Sequence, residues 1–404
     1  MAGRDAEVIR VEAARPVLAK SRPVESCEGC SRDRHLFASG PKRILALDGG
    51  GVRGALSIAF LQRLEEVLSE IEDRPVRLCD WFDLIGGTST GAIIAAGLAS
   101  GHSAGEMHEF YRELGPKIFK RPIFHIFGWG ANFDSRHLQF ELNRFFSGWT
   151  LGSEELQTGL SMILKRMDTG SCWLVMNNPR SAFWETPNDK SFVGNRHLSL
   201  ANLIRASTAA PLHFDPQTIE IIEGMEPGLF LDGGLTPHNN PSLALFLATV
   251  LPPYGLNWKT GVEHLSILSI GTGSYRPKLP AREARGCPAI VLAMKSLVGQ
   301  MFDNEELILT MMSWLGQTSL PWPINSELGD LGNFIPPFGN LFHYTRCDVK
   351  LEQKWLSDNL GADLSVAEVM ALRHMEDPSN IAPLYEYGRR AAQMQITHDI
   401  FRGW

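Results

Sequence analysis

Long apolar runs are missing from this 404-residue chain. The most apolar stretches, such as 92–100, reach about half of the ~18 residues that a membrane-crossing helix needs. Residues 1–20 alternate charged and small side chains and never gather the roughly 7–15 apolar residues of a secretory signal. Cysteine is scarce as well. The six, at positions 27, 30, 79, 172, 287 and 347, are too few and too irregular for a disulfide framework and point to a reducing compartment. Nor is there a block of like charge: 38 Lys and Arg stand against 45 Asp and Glu, a net charge of −7, which argues against a nucleic-acid footprint. The expectation is a soluble, cytoplasmic protein with peripheral membrane contact left open. With 44% apolar and 21% charged residues, the chain is neither disordered, collagenous nor coiled coil.

Glycine is plentiful: 38 residues, about ten more than average usage gives. Eleven of them fall in four short blocks, at 48–54, 86–91, 232–234 and 271–273, each at the end of an expected strand. The strands and helices alternate. Apolar runs at 44–47 and 83–86 read as strands buried on both faces, and 54–71 and 91–99 as the helices after them. Strands at 173–177, 219–222, 229–231 and 265–270, with helices at 198–207 and 241–250, continue the pattern. Such alternation predicts an α/β layered fold with a mostly parallel sheet and a ligand at the carboxyl ends of its strands. Residues 1–40, with seven basic and six acidic residues, read as a flexible extension, the stretch 277–344 as a lid or insertion, and 349–360 and 365–395 as helical.

Three of the glycine blocks carry chemistry. Gly87-Thr88-Ser89-Thr90-Gly91 fits G-x-S-x-G between an expected strand and helix, the setting of a strained turn that lifts a serine hydroxyl out of a sheet. Ser89 is therefore a candidate nucleophile, although the pattern alone also fits an ordinary turn. Asp48-Gly49-Gly50-Gly51-Val52-Arg53-Gly54 satisfies G-x-G-x-x-G, but the acids about 20 residues on, Glu72 and Asp73, lie in a polar link and weaken a dinucleotide reading. Amides of such a loop can instead face an oxyanion. Asp232-Gly233-Gly234 places an acid where the next two residues lack side chains, so that it can approach another loop closely; a simple Asp-Gly turn accounts for it equally well. A triad histidine is also conceivable, and His238, His264, His343, His374 and His398 follow acids at suitable places in the chain, none in a distinctive setting.

Taken in order, these three blocks resemble the signature blocks of the patatin-like phospholipases. Residues 205–211 and Asn239-Asn240-Pro241 resemble the family's blocks on either side of the acid. The resemblance spans about 44–245 and implies a three-layer α/β/α fold with a mostly parallel central sheet, a catalytic core at 41–245 and a C-terminal part, 246–404, completing it. It further implies a Ser-Asp dyad of Ser89 and Asp232 and an oxyanion hole at Gly49, Gly50 and Gly51 with Arg53 beside them. Gly54, Gly87, Gly91, Gly233 and Gly234 are its motif glycines. The implied activity is hydrolysis of phospholipids or other acyl-ester lipids, generally without metal and with no cofactor. Transfer of the acyl group to another acceptor, and control by a nucleotide, stay open.

Two weaker signals complete the reading. Cys27, Cys30 and His35 have zinc-knuckle spacing, but Gly40 stands where the fourth ligand belongs, so no metal is expected. Trp129, Trp149, Trp314 and Trp322 are ordinary packing residues or the lining of an acyl pocket.

Overall fold

The computed structural model describes residues 30–118, 133–211, 213–402 and 404; Cys27, Trp129 and the first 29 residues of the expected extension lie outside them. In chain order, the first half contains α1 (Ser31–Phe37), β1 (Lys42–Leu47), α2 (Gly54–Glu72), α3 (Leu78–Trp81), β2 (Leu84–Thr88), α4 (Thr90–Ala99), α5 (Ala104–Ile118) and α6 (Ser135–Phe146). β3 (Gly159–Arg166), β4 (Cys172–Met176), α7 (Leu200–Ser207), β5 (Gln217–Ile219), β6 (Gly228–Asp232), α8 (Ser242–Val250) and β7 (Leu265–Ile270) follow. The rest is α9 (Ala281–Ala284), α10 (Ala289–Leu315), β8 (Gly316–Gln317), β9 (Phe342–Cys347), α11 (Gln353–Leu360), α12 (Val366–Leu372) and α13 (Ile381–Gln395).

The nine strands form one sheet in the order β5-β6-β3-β2-β1-β7-β9-β8, with β4 also paired to β3. Alternate residues of a strand point to opposite faces, and here both faces are covered. Leu45 and Leu47 of β1 enter the core formed with α2, α4, α5 and α13, while Ile44 and Ala46 enter a second core with α8 and the C-terminal half of α10. That is a three-layer α/β/α sandwich, as expected. The sheet is mostly parallel, with β4 and β6 running against the other strands.

The reversed direction of β6 sharpens the picture of glycine blocks at the ends of parallel strands, since one block belongs to an antiparallel strand. β4 occupies one edge of β3 from Ser161 to Lys165. On the opposite edge, β2 pairs with 159–163 and β6 with 164–166, so the two lie end to end. Thr88 faces Ile163 and Asp232 faces Leu164.

Two stretches differ from the sequence reading. Within the 1–40 extension, α1 is docked: Leu36 is buried, and the Trp258 indole donates to its carbonyl at 2.9 Å. Within 277–344, α10 is a continuous 27-residue helix whose C-terminal half is part of the core, and β9 begins at Phe342.

Candidate active site

Ser89 sits between β2 and α4 with φ 54° and ψ −124°, a left-handed backbone that a side-chain-bearing residue adopts only at a cost. The turn closes because its flanks are glycine. A Cβ on Gly87 would collide with the Gly91 carbonyl, and one on Gly91 with the Leu47 carbonyl of the neighbouring strand. The Ser89 amide donates to Ser207 Oγ at 2.9 Å, and that hydroxyl donates in turn to the Ile163 carbonyl at 2.7 Å. The strained turn is thereby tied to β3.

Ser89 Oγ donates to Asp232 Oδ2 at 2.7 Å. The other carboxylate oxygen, Oδ1, accepts from the Gly234 amide at 2.7 Å, and the Asp232 amide donates to the Ala209 carbonyl at 3.0 Å. Gly233 allows the approach, because a Cβ there would strike the Ile163 carbonyl and crowd Thr88 Cγ2. Burial pushes the Asp232 carboxyl up to about 6, opposed by the hydrogen bonds from Ser89 and Gly234 and by the charge of Arg205. None of the five histidines considered reaches this pair; His374 instead lies against Glu376 and His398 against Glu70.

The glycine loop follows β1, next to β2, so it arrives beside the serine. Gly49 is packed against Ser89: a Cβ on it would lie 3.1 Å from Ser89 Cβ. Its carbonyl accepts from Thr272 Oγ1 at 2.9 Å and Asn239 Nδ2 at 3.3 Å, and its amide donates to the Asn239 carbonyl at 3.2 Å. The Gly50 amide donates to Thr90 Oγ1 at 3.2 Å. Gly51, at φ 60°, heads the short 3₁₀ turn 51–53, and its amide has no acceptor among the described residues. The Arg53 guanidinium donates to the Gly273 carbonyl at 3.0 Å and to the Gly50 carbonyl at 3.5 Å and lies over the Tyr275 ring, tying the glycine loop to the segment after β7.

The residue that the sequence reading missed is Arg346 on β9. Fully buried, it grips Asp48 with two hydrogen bonds, 3.0 and 2.7 Å, and Asp348 with a third at 2.9 Å. Asp348 Oδ1 accepts from the Gly273 amide at 2.8 Å. The start of the glycine loop and the loop after β7 are thus fixed by one cation, which no motif of the sequence marked.

The weaker signals are also placed. His35 Nδ1 lies 3.4 Å from Asp83, Trp149 packs on Phe146, Trp314 on Phe338, and Trp322 is buried under Lys350.

A serine at the end of a parallel strand, hydrogen-bonded to a buried aspartate and flanked by a glycine loop, is an acyl-transfer arrangement. Comparison with known proteins agrees with it. The chain is 26% identical over 329 residues to a cGAMP-activated phospholipase of Vibrio cholerae, covering 77% of this chain and 85% of that one. It is 33% identical over 204 residues to a cGAMP-activated phospholipase of Pseudomonas aeruginosa, covering 50% and 54%. To patatin-like protein 3 of Arabidopsis thaliana it is 29% identical over 266 residues, covering 58% and 59%. The chain thus spans less than two thirds of the last two. A family model described as Patatin-like phospholipase matches residues 45–246, half the chain, from β1 through the turn at Ser89 and the loop at Asp232 into α8. This protein belongs to the patatin-like phospholipase family.

Proposed function

We propose that this protein is a serine-dependent lipid acyl hydrolase in which Ser89 is the nucleophile and Asp232 its general base. The observation that carries the reading is the 2.7 Å hydrogen bond from Ser89 Oγ to a buried carboxylate. As Ser89 Oγ attacks the ester carbonyl, its proton passes to Asp232 Oδ2 and the carbonyl oxygen becomes an oxyanion facing the glycine-loop amides. Gly51 has the amide free to receive it, and Gly49 and Gly50 form the wall against which it develops. The intermediate collapses, the alcohol leaves with the proton from Asp232, and an acyl-serine remains. Water then attacks the acyl-serine, giving a proton to Asp232; the second tetrahedral intermediate collapses, Ser89 Oγ leaves with that proton, and the carboxylic acid departs.

A carboxyl group held near 6 suits this part: it is ionised at neutral pH yet basic enough to accept the serine proton. Asp232 acts without a histidine because β3 seats it directly against the nucleophile. The substrate class is an acyl-ester lipid, phospholipid included, met at a membrane from the cytoplasmic side. The described cysteines are all free thiols, and no helix among the described residues is long and apolar enough to cross a membrane. Turnover of a panel of phospholipids and simple esters by wild type and Ser89→Ala, with and without cyclic dinucleotides, tests the reading; equal turnover by both proteins in every condition refutes it.

A second reading concerns control. Four relatives are named for activation by a nucleotide, three by cGAMP and one by cUMP-AMP. Their names support a phospholipase that is quiet until a cyclic dinucleotide binds. Assaying the same panel with and without each cyclic dinucleotide decides it.

A further inference from the structure

The N-terminal half of α10 has no partner among the described residues. From Ile308 onward the helix is packed into the core, with Ile308 and Met312 buried. Its middle is moored beside the glycine loop: Phe302 meets the Tyr275 ring edge-on at 4.8 Å, Tyr275 lies under Arg53, and Glu305 reaches Arg346. Before that point, residues 289–300 stand almost entirely in solvent, although they read Ala-Ile-Val-Leu-Ala-Met-Lys-Ser-Leu-Val-Gly-Gln. Ile290, Met294, Leu297 and Val298 are 70%, 45%, 64% and 44% exposed. Their spacing, i, i+4, i+7 and i+8, puts them on one face of the helix. A contiguous apolar face of this kind marks an interaction surface.

The charge around it says what covers it. Between 278 and 298 the chain carries Lys278, Arg282, Arg285 and Lys295 against the single acid Glu283, while the whole protein has a net charge of −7. None of the four cations forms an ion pair among the described residues. An apolar helical face fringed with unpaired cations, on a protein negative overall, complements an anionic lipid surface: the face enters the acyl boundary and the cations meet the head groups. The exposed segment of twelve residues is ~18 Å long, shorter than the ~30 Å apolar core of a bilayer, and Asp303, Glu305 and Glu306 follow it, so it lies along the interface and does not span it.

We propose that residues 278–298 dock the enzyme onto anionic lipid bilayers and thereby bring the glycine loop and Ser89 to the membrane that holds the substrate. This deepens the hydrolase reading and rests on it for the substrate. The test is flotation of the full chain with vesicles of equal phosphatidylglycerol and phosphatidylcholine, and with vesicles of phosphatidylcholine alone. Wild type and Ser89→Ala float with the anionic vesicles, more weakly with the neutral ones, and less in high salt. Ile290→Glu/Leu297→Glu lowers the partition by about tenfold or more, and Arg282→Gln/Arg285→Gln/Lys295→Gln removes the preference for phosphatidylglycerol. Both variants hydrolyse a monomeric, water-soluble short-chain ester at the wild-type rate, which also shows that they are folded.

Equal flotation of wild type and Ile290→Glu/Leu297→Glu overturns the proposal. So does a parallel loss of soluble-ester turnover, which makes the helix a cover of the site, or a dimer that the substitutions dissolve in the absence of vesicle binding. If flotation follows the expected pattern while wild type hydrolyses no ester at all, the docking surface stands and the hydrolase reading falls.

Discussion

Thr88 and Asp232 face consecutive residues of a single strand, Ile163 and Leu164, on the same edge of β3. The strand that leads into Ser89 stops there, and the strand that ends in Asp232 takes its place from the opposite direction. The contact between Ser89 and Asp232 therefore follows from backbone register, with Ser207 as the tie that holds the nucleophile turn to the same point.

The first prediction concerns the base. Asp232→Asn keeps the shape of the side chain and its acceptor for the Gly234 amide but cannot take the serine proton. General-base catalysis contributes about 10²–10⁴-fold, so kcat falls by that order while circular dichroism stays unchanged. Unchanged kcat points to another base.

The pH dependence has a definite sign. Asp232 must be ionised to accept a proton, and its carboxyl is raised to about 6 by burial. kcat/KM therefore falls as pH drops through about 6, by about tenfold per unit once below it. Stability runs the other way at this group. Because the folded form holds the proton up to about 6 and the unfolded chain releases it near 3.8, this carboxyl's contribution to stability is present at low pH and fades as pH rises between the two. A pH–rate profile with a non-ionising ester checks the first statement.

Gly233→Ala probes the close approach itself. The added methyl meets the Ile163 carbonyl and Thr88 Cγ2. Relief requires β6 to move away from β3, which separates Asp232 from Ser89. The expected cost is about 1–3 kcal/mol of stability, as for other overpacked sites, with a loss of kcat larger than the drop in melting temperature alone explains. Thermal melts and initial rates on one preparation measure both.

Arg346→Met leaves Asp48 and Asp348 buried without their cation. Breaking a buried pair in this way costs about 3–5 kcal/mol, and the melting temperature falls accordingly. Adding Asp48→Asn to Arg346→Met recovers part of that loss, since one uncompensated charge is gone. Equal melting temperatures for Arg346→Met and wild type contradict the role given to the cluster.

What the sequence disclosed was local. A strand, a glycine-flanked turn and a helix lie within 20 residues of one another at 84–99, so their chemistry could be read from residue types alone. The same holds for the glycine loop after β1. The direction of β6 was not legible, because it depends on which edge of β3 remains open beyond Ile163, a pairing between residues about 70 positions apart. Arg346 was hidden for the same reason: although Asp348 is two residues on, its other partner, Asp48, lies 298 positions away in the loop after β1. That the guanidinium of Arg53, adjacent to the glycines in sequence, reaches the Gly273 carbonyl was not legible either, since the two lie 220 positions apart. In α10 the apolar residues run almost without interruption from 289 to 298, so no polar face marked a helix, and with the prolines at 321–323 and 336–337 the region read as a lid or insertion.

The most direct test of the dyad is covalent. Wild type and Asp232→Asn are treated with a fluorophosphonate, digested, and the modified peptide is sequenced by mass spectrometry. The dyad predicts a single adduct on Ser89 in wild type and labelling slowed by orders of magnitude in Asp232→Asn. An adduct on another serine, or equal labelling rates in the two proteins, contradicts it.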